Sequence, residues 1–511
     1  MYFRRIIQFL ILIAPVIIFA QNVTQIRLVQ AKTQEFDKQI GEMQRFKGSV
    51  IIEHEGAFLY CDSAWLYDKT NSIETFGRSR IKVNDTVSLL GNHLNYDGNT
   101  RIVTVTGNVI LKDNKSSIKS EKMIFDRNTN ISYYNTGGIL KDSSNTLTSK
   151  IGKYNTLNKE TFFKDNVVLV NSRYKITTDT LMYNTKTEVA YFFSPTNMIS
   201  NENRAYCELG WYDTKTDKSV LQNNAYLSNK NQTIKGDSLY YDKINGYGLG
   251  YHNVQISDSI KNVIFKGNFA EYHEKGGFSY VADSALAIMI ENIDTLYLHA
   301  DTLKVLFDTA QNPQSVYCYN HAKFFRTDLQ GKCDSIVYLV TDSMMTMYSQ
   351  PLIWSGENQL VADTIVFFLK NKKLDRMLLR NSAFIVSAVD VSRFNQIKGK
   401  NMEGFFVENK INLMNVLGNA ESLYYATDEA EKLVGVNKTE SSFMDLYFEN
   451  NKVTSILVSG VPKSIMYPES KMDTNDSKLR NFTWQIDSRP FTWQEIFKKT
   501  NVSVSKKLKF N

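Results

Sequence analysis

Polar and apolar residues alternate in a short stretch that returns along the first half of the chain. The stretch is Cys61–Asp68 at its first appearance, Gly91–Asp97 at the second and Ser120–Asp126 at the third. Alternation with a period of two places successive side chains on opposite faces of a β-strand. The sequence therefore predicts a repeated strand with one apolar face and one polar face.

Each copy of this strand ends in an aromatic residue that is followed by Asp or Asn. The aromatic residues lie at steps of 29 residues (96 − 67, and so on to 241 − 212), and they are Tyr67, Tyr96, Phe125, Tyr154, Tyr183, Tyr212 and Tyr241. A fixed step in this range is the signature of a repeat architecture. Because one such unit cannot bury its apolar face alone, the units must stack on one another.

One complete unit shows how the chain is expected to turn. Strand Gly91–Tyr96 leads into the turn Asp97–Thr100, whose Asp-Gly pair is a strong hairpin signal. The pair Gly107-Asn108 interrupts the next strand, Arg101–Lys112, and predicts a bulge or a sharp bend where the chain changes sheet. Asp113–Ser116 is the following turn. The counterparts of the interrupting pair are Gly48, Gly77, Gly137-Gly138, Asp165-Asn166, Asn223-Asn224 and Asn253.

Stacking of the repeated strand predicts one apolar row along the molecule. Its members are Trp65, Tyr67, Leu94, Tyr96, Met123, Phe125, Leu181, Tyr183, Leu239 and Tyr241. The opposite faces carry Ser, Asn, Lys, Glu and Asp, so the sheet should have one wet and one dry side. The fold class is therefore all-β, a repeat-built and solenoid-like stack of antiparallel strands. The row is interpreted either as filled core or as the lining of a groove for lipid.

The spacing divides the chain into segments. After Tyr241 the 29-residue step is lost, although similar strands recur until about Val461. The predicted organisation is a signal peptide at 1–20, a leader at 21–40, a regular β segment at 41–290, a second and irregular β segment at 291–460, and a linker with a basic tail at 461–511. The tail is given no function beyond docking.

The first residues have the pattern of a secretory signal. Arg4 and Arg5 precede an apolar run, Ile6–Phe19, and Ala20 provides a small residue at the expected cut. The run is shorter than the roughly 20 residues that a spanning helix needs. A cleaved signal is favoured over a retained anchor, and the expected location is the periplasm, in association with the outer membrane.

Charge and cysteine spacing exclude several classes of function. The formal charge is +7, or +5 without Arg4 and Arg5 (7 − 2), which is too small to require nucleic acid. The four cysteines match no zinc or redox motif. Cys318 and Cys333 could form a disulfide; otherwise all four, including Cys61 and Cys207, are expected to be small core residues.

No catalytic, metal-binding or cofactor-binding pattern is present in the sequence. The six histidines lack ligand spacing, and His-Glu-x-x-His, Gly-x-Ser-x-Gly and Walker-type motifs are missing. The recurrent Asp or Asn after each aromatic residue stands where a strand ends, which favours a turn-capping role. We therefore expect a protein that is not an enzyme and that needs no cofactor.

Five cations cluster in the first unit. They are Arg45, Lys47, Arg78, Arg80 and Lys82. A solvated strand face is the simpler interpretation. Alternatively, these residues could contact the phosphates of an anionic lipid head group.

The repeated motif resembles the OstA-like family. The residues that carry the resemblance are Thr106–Ile110 and Gly236–Asp242, and Phe46–Ile51 and Ala362–Ile365 match less completely. This family comprises the periplasmic lipopolysaccharide-transport bridge protein and the N-terminal domain of the outer-membrane lipopolysaccharide assembly protein. The resemblance covers roughly residues 40–275 well and 295–455 loosely, and the chain is far longer than the single-domain bridge protein.

The resemblance implies an open, V-shaped β-jellyroll whose two sheets enclose an apolar groove for lipopolysaccharide acyl chains. It also implies partners, namely other lipopolysaccharide-transport proteins that join through edge strands, and head-to-tail self-association. The leading hypothesis is a non-catalytic periplasmic protein that binds these acyl chains and helps carry the lipid to the outer membrane. The alternatives are a membrane-spanning arrangement of the same hairpins, and a β-solenoid that binds or acts on extracellular polysaccharide.

Overall fold

The structure is a computed structural model that describes most of the chain. The described residues are 24–37, 43–82, 86–290, 294–371, 373–428, 430, 432–449, 452–472 and 476–498. The signal peptide predicted at residues 1–20 lies outside them. Within the described part, no helix has the length and hydropathy needed to cross a membrane.

The chain forms two compact units, Met1–Glu188 and Val189–Asn511. This division follows from contacts, whereas the segments predicted at 41–290 and 291–460 follow from repeat spacing and stay a prediction. The strands of unit 1 are β1 (Arg27–Gln30), β2 (Thr33–Asp37), β3 (Met43–His54), β4 (Ala57–Tyr67), β5 (Ser72–Lys82), β6 (Ser88–Asp97), β7 (Ile102–Lys112), β8 (Ser117–Asp126), β9 (Ile131–Tyr134), β10 (Gly138–Lys141), β11 (Thr146–Ser149), β12 (Ile151–Asn155), β13 (Glu160–Val170) and β14 (Lys175–Asn184).

Unit 2 is also built from strands. They are β15 (Val189–Phe192), β16 (Thr196–Ile199), β17 (Arg204–Cys207), β18 (Leu209–Asp213), β19 (Lys218–Ser228), β20 (Gln232–Asp242), β21 (Tyr247–Asp258), β22 (Val263–His273), β23 (Phe278–Ile290), β24 (Thr295–Phe307), β25 (Pro313–Tyr319), β26 (Lys323–Arg326), β27 (Leu329–Lys332), β28 (Ser335–Leu339), β29 (Met344–Tyr348), β30 (Leu352–Ser355), β31 (Asn358–Val361), β32 (Thr364–Lys370), β33 (Lys373–Ala388), β34 (Phe394–Val407), β35 (Lys410–Thr427), β36 (Leu433–Glu449), β37 (Lys452–Ser459) and β38 (Lys463–Tyr467). The helical elements in the described part are short 3₁₀ turns at Asp68–Thr70, Glu469–Lys471, Ile486–Ser488 and Trp493–Phe497.

Consecutive strands pair antiparallel, as in the series from β3 to β8. The repeated Asp or Asn caps the turns between them. Asp97 Oδ1 accepts from the backbone N–H of Asn99 at 2.8 Å and of Thr100 at 3.1 Å. Asn184 accepts in the same way from the N–H of Lys186, at 2.9 Å. The all-β class and the turn role of these residues are therefore confirmed.

A pair of left-handed residues divides the long strands into two halves. In β7 this pair is Gly107 (φ 75°) and Asn108 (φ 51°), and the register with β8 skips both residues, between Thr106 and Val109. The predicted bulges at Gly48, Gly77, Asp165-Asn166, Asn223-Asn224 and Asn253 all have this conformation, whereas at Gly137-Gly138 only Gly137 is left-handed. The same pair occurs in the second half of the chain, where the sequence spacing is irregular, at Asp283-Ser284, Asn320-His321, Ser349-Gln350, Asn381-Ser382, Gly418-Asn419 and Gly460-Val461.

We call the two sets of half-strands in unit 1 limb A and limb B. Limb A consists of residues 43–47, 63–67, 72–76, 93–97, 102–106, 122–126, 131–134, 151–155, 160–164 and 180–184. Limb B consists of residues 50–54, 57–61, 79–82, 88–91, 109–112, 117–120, 138–141, 146–149, 167–170 and 175–178. Each limb buries alternate residues, so one face is dry and the other is wet, as predicted.

The first repeat departs from the predicted row. Thr75 pairs with both Ala64 and Leu94, so Ala64 and Leu94 share the interior face. Trp65 and Tyr67 therefore lie on the opposite face, where both are half-buried. The cause is the length of one loop. Residues 83–87 connect β5 to β6, whereas residues 113–116 connect β7 to β8, and the extra residue shifts the sequence phase by one.

The predicted leader and tail both contain ordered structure. In the leader, β1 and β2 pair with β3. In the tail, residues 477–498 form an extended segment, the strap, which lies on unit 2. Phe384 and Val386 of β33 pack with Leu479 of the strap, whereas their neighbour Ile385 packs into the main core of unit 2. The strap therefore covers the second face of a sheet that is buried on both sides.

Two buried glutamines hold the strap backbone. Gln359 donates to Thr483 O and accepts from Gln485 N, both at 2.7 Å. Gln396 donates to Ser477 O and accepts from Leu479 N, both at 2.8 Å. Each side-chain amide thus pairs with residues i and i+2 of the strap, as a neighbouring strand would.

The bend should be sensitive to a side chain at Gly107. We expect Gly107→Val to lower the free energy of unfolding by about 1–2 kcal/mol or more, because a left-handed φ places Cβ against the following carbonyl, and because the added Cβ would lie 3.1 Å from the Asn92 side chain. Thr106→Val, one position earlier in the strand, is the control and should change little. Urea denaturation followed by circular dichroism measures both. Equal losses would contradict the special role of the bend.

Gln359 and Gln396 should be needed to keep the strap bound to the rest of unit 2. In Gln359→Ala with Gln396→Ala, buried backbone groups of the strap lose partners, at about 1–3 kcal/mol for each unsatisfied group. We expect trypsin to cut after Lys478 and Arg480 at least several times faster than in the wild type. The exposed Gln34→Ala is the control. Unchanged cleavage would show that apolar contacts alone hold the strap.

Candidate functional site

Most of the predicted row lies inside the molecule. In unit 1 the interior members are Leu94, Tyr96, Met123, Phe125, Leu181 and Tyr183, each at most 1% exposed. In unit 2, Leu239 is 3% exposed and Tyr241 is half-buried. Trp65 and Tyr67 are the two members on the other face. The structure thus brings the six interior residues of unit 1 together in limb A.

Limb B supplies the apolar side chains that complete the interior of unit 1. They are aliphatic and at most 2% exposed: Ile52, Leu59, Leu89, Leu111, Ile118, Leu147, Leu169 and Ile176. Both limbs therefore bury apolar side chains at every step of the repeat. The large buried aromatic residues stand on limb A, together with aliphatic ones such as Leu94 and Leu181.

Three tyrosines of unit 1, Tyr96, Tyr154 and Tyr183, reach from limb A to limb B through their hydroxyl groups. The Tyr96 hydroxyl lies 2.7 Å from Nδ1 of His54, at the end of β3 in limb B, and Arg127 donates to the same hydroxyl at 2.7 Å. Arg101, in a limb A loop, forms an ion pair with Glu55, in a limb B loop, at 2.7 Å. Burial raises the pKa of Tyr96 above its ordinary value.

A second crossing joins Tyr154 to Asp113. The Tyr154 hydroxyl donates to Asp113 Oδ2 at 2.7 Å, and Lys159 forms an ion pair with the same oxygen, also at 2.7 Å. Burial raises the pKa of Asp113, but the hydrogen bonds from Lys159 and Tyr154 outweigh it and leave the pKa below its ordinary value. Burial, followed by the neighbouring Asp113, raises the pKa of Tyr154.

The third crossing joins Tyr183 to the loop at residues 142–145. The Tyr183 hydroxyl donates to Asp142 Oδ2 at 2.6 Å, and Asn145 Nδ2 donates to the hydroxyl at 2.9 Å. We call the three crossings at Tyr96, Tyr154 and Tyr183 the latch. Phe125 occupies the same position in its repeat and has no hydroxyl. The latch satisfies polar atoms that burial would otherwise leave unpaired.

A cavity of about 650 Å³ lies beside the latch. It is lined by Lys112, Asp113, Asn114, Lys115, Ser116, Ser117, Lys141, Asp142, Ser143, Thr185 and Glu188. The residues from 112 to 143 belong to the loop ends of limb B, and Thr185 and Glu188 belong to a limb A loop. The cavity therefore lies between the ends of the two limbs, next to Asp113 and Asp142.

The five basic residues of the first unit are spread out, and several have partners. Arg78 pairs with Asp62 at 2.7 Å, and Lys47 pairs with Glu35 at 3.3 Å. Arg45 lies over the ring of Trp65, 5.5 Å from its centroid. Arg80 lies 6.0 Å from the centroid of the Tyr60 ring, and Lys82 is half-buried at the end of β5.

The interior of unit 2 is lined with methionine, which the sequence reasoning missed. Its core includes Met347, Met377, Met402, Met414 and Met444, each at most 3% exposed. The signal was available, since seven of the 15 methionines fall between residues 344 and 444. Unbranched thioether side chains fill irregular space and adapt to different neighbours.

The cysteines are free and buried. Burial raises the pKa of the Cys61, Cys207 and Cys318 thiols to about 12. No disulfide joins Cys318 to Cys333 in the structure. Among the described residues, no group of three or more His, Cys, Asp and Glu side chains is placed to hold a metal ion.

Buried phenols should make the fold sensitive to alkali. Burial raises the pKa of Tyr134 to about 12, so the unfolded chain ionises first as the pH rises above about 10. Stability should be unaffected below pH 10 and should fall between pH 10 and 12, by up to about 1.4 kcal/mol per pH unit for each such tyrosine.

Urea denaturation across this range measures the slope, and absorbance at 295 nm reports phenolate. Tyr134→Phe removes one buried phenol and should give a shallower fall than the wild type. The exposed Tyr319→Phe is the control. Identical slopes for the wild type and Tyr134→Phe would contradict the role assigned to burial.

Comparison with known proteins gives matches to one family and to chains of solved structures. The family described as OstA-like protein matches residues 23–179 and 175–237. Chains of solved structures also match, 21 in number, and one of them is LptH from Pseudomonas aeruginosa, described as the LptA homologous periplasmic component of the conserved lipopolysaccharide transport device. That chain is 16% identical over 21% of this chain and 74% of its own length, with a TM-score of 0.19. No curated protein matches the sequence.

Proposed function

Residues 23–237 match the OstA-like family, and on that premise we propose that this protein binds the acyl chains of lipopolysaccharide between its limbs and helps carry the lipid to the outer membrane. The role is non-catalytic and periplasmic. One observation carries the proposal, namely the interior of unit 1, in which both limbs bury apolar side chains along the repeats.

The physical argument concerns how a carrier holds and releases its cargo. Burial of an acyl chain gains about 0.8 kcal/mol for each CH₂ group, so a few repeats suffice to hold one chain. The interior positions of limb A are filled mostly by large apolar side chains, such as Leu94, Met123 and Leu181, so an acyl chain that moves along the repeats exchanges similar contacts. Such a row allows the acyl chain to slide along the interior, whereas one deep pocket would hold it in place.

The methionines of unit 2 support an adaptable interior. A thioether chain changes rotamer at low cost, so the core around Met377, Met402 and Met414 can repack around acyl chains of different lengths. The Arg78 side chain is 89% exposed, so it is accessible to a phosphate on the sugars.

Edge strands are the proposed sites for partners. Among the described strands, β37 and β38 each pair with β36 alone. They expose Leu457, Ile465 and Met466, each more than half accessible. An unpaired edge with apolar side chains is suited to the addition of a partner's strand. Other lipopolysaccharide-transport proteins and a second copy in head-to-tail contact are the proposed partners.

Photo-crosslinking to lipopolysaccharide tests the proposed function. A photoreactive residue replaces Leu94, Met123, Leu181 or Leu239, and each variant is expected to form a lipid adduct. The controls are Trp65, Asn95 and Lys122, whose side chains lie on the opposite face of the same limb, and they should form none. Adducts confined to the controls, or absent at every interior position, would show that the row is closed core.

A further inference from the structure

The three crossings of the latch follow one geometric rule. Tyr96 reaches a residue 42 positions earlier in the chain, and Tyr154 and Tyr183 each reach a residue 41 positions earlier. Each tyrosine is the last interior residue of limb A before a turn, and each partner lies at the outer end of limb B. The repeated tyrosine therefore fastens the free ends of the two limbs along one side of unit 1.

Apart from the latch and the ion pairs Arg101–Glu55 and Lys159–Asp113 beside it, the limbs are joined through the bends. There the ladder of backbone hydrogen bonds is interrupted, for example between Thr106 and Val109. Within each limb the strands stay paired whether or not the limb ends touch. The bends can therefore act as hinges, and the latch is the part of the structure that has to break when the limb ends separate.

We propose that the latch is a side gate, and that the cavity beside it is the entry site for the polar head of an anionic glycolipid. The inference rests on the proposed function and deepens it. The lipid enters from the side of unit 1, its acyl chains pass between the parted limb ends, and its head group stays in the cavity.

The chemistry of the cavity fits this ligand. Lys112, Lys115 and Lys141 provide cations for phosphate, and Ser116 and Ser143 provide hydroxyls for sugar. The acids Asp113 and Asp142 are held by Tyr154, Lys159 and Tyr183 while the gate is shut. The apolar interior lies directly behind these acids. The cavity and the interior together can therefore bind the polar head and the acyl chains of one lipid.

A removable bridge between the limbs tests the gate. Lys115→Cys and Glu188→Cys place thiols on opposite sides of the cavity of the full-length protein, where a short bifunctional thiol reagent with a reducible centre can join them. The native cysteines are buried and have raised pKa values, so they should not react. We expect the bridge to slow loading of fluorescent lipopolysaccharide by about tenfold or more, and reduction to restore it.

The matched control bridges Lys115→Cys to Ser143→Cys, which both lie on limb B loops. This bridge leaves the limbs free to part, so loading should equal that of the unbridged protein. Loading at the wild-type rate with the bridge from residue 115 to residue 188 would overturn the side gate, because the lipid would then enter elsewhere.

Removal of the latch hydroxyls should have the opposite effect. Tyr154→Phe with Tyr183→Phe keeps the apolar rings and removes two crossings, and we expect loading and release to accelerate by about three- to tenfold each, with little change in affinity. Equal loading rates in the wild type and this variant would also overturn the proposal.

The gate can be measured without lipid. Spin labels at residues 115 and 188 report the distance between the limb ends, which should broaden toward longer values in the Tyr154→Phe, Tyr183→Phe variant. A distribution that stays narrow and unshifted would overturn the gate. If the protein takes up no lipopolysaccharide while the distances respond, the proposed cargo is wrong and the latch stands.

Discussion

The bend in the long strands is the constraint on which the fold depends. Two consecutive left-handed residues cost conformational energy that glycine, asparagine and aspartate keep low, and unit 1 uses Gly107-Asn108 and Asp165-Asn166 in this way. At each bend the ladder breaks and the chain leaves one limb for the other. Without the bends, the apolar faces of the two limbs could not meet, and neither an interior nor a latch would form.

The tyrosine of each repeat combines two roles that sequence periodicity cannot separate. Its ring is an interior residue like Leu94, while its hydroxyl bonds a group from the opposite limb. Buried hydroxyl groups need partners, so the choice of Tyr rather than Phe at positions 96, 154 and 183 indicates a polar neighbour there. Phe125 shows that the packing role alone does not require the hydroxyl.

Much of the fold was predictable because it depends on residues that are close to one another in the sequence. The alternation of polar and apolar residues predicted the strands. Asp97 and its counterparts predicted the turns, and Gly107-Asn108 predicted the bend. The error at Trp65 and Tyr67 arose because one extra residue between β5 and β6 changes the sequence step without changing the stacking. The partners of the tyrosines were not predictable, since the offset of 41 or 42 residues depends on how the limbs fold over each other. The strap was missed because its anchors, Gln359 and Gln396, are ordinary polar residues until a backbone lies against them.

The strap has a consequence for how the protein is made. Synthesis proceeds from the N-terminus, so the second face of the unit 2 sheet, with Phe384, Val386 and Leu423, emerges long before the segment that covers it. An exposed apolar face of this kind invites aggregation during folding. A chain that is truncated near residue 470 would keep every strand of unit 2, but it would expose this apolar face to water and would tend to aggregate. The apolar face is therefore covered only after residues 477–498 have been made and have folded onto it.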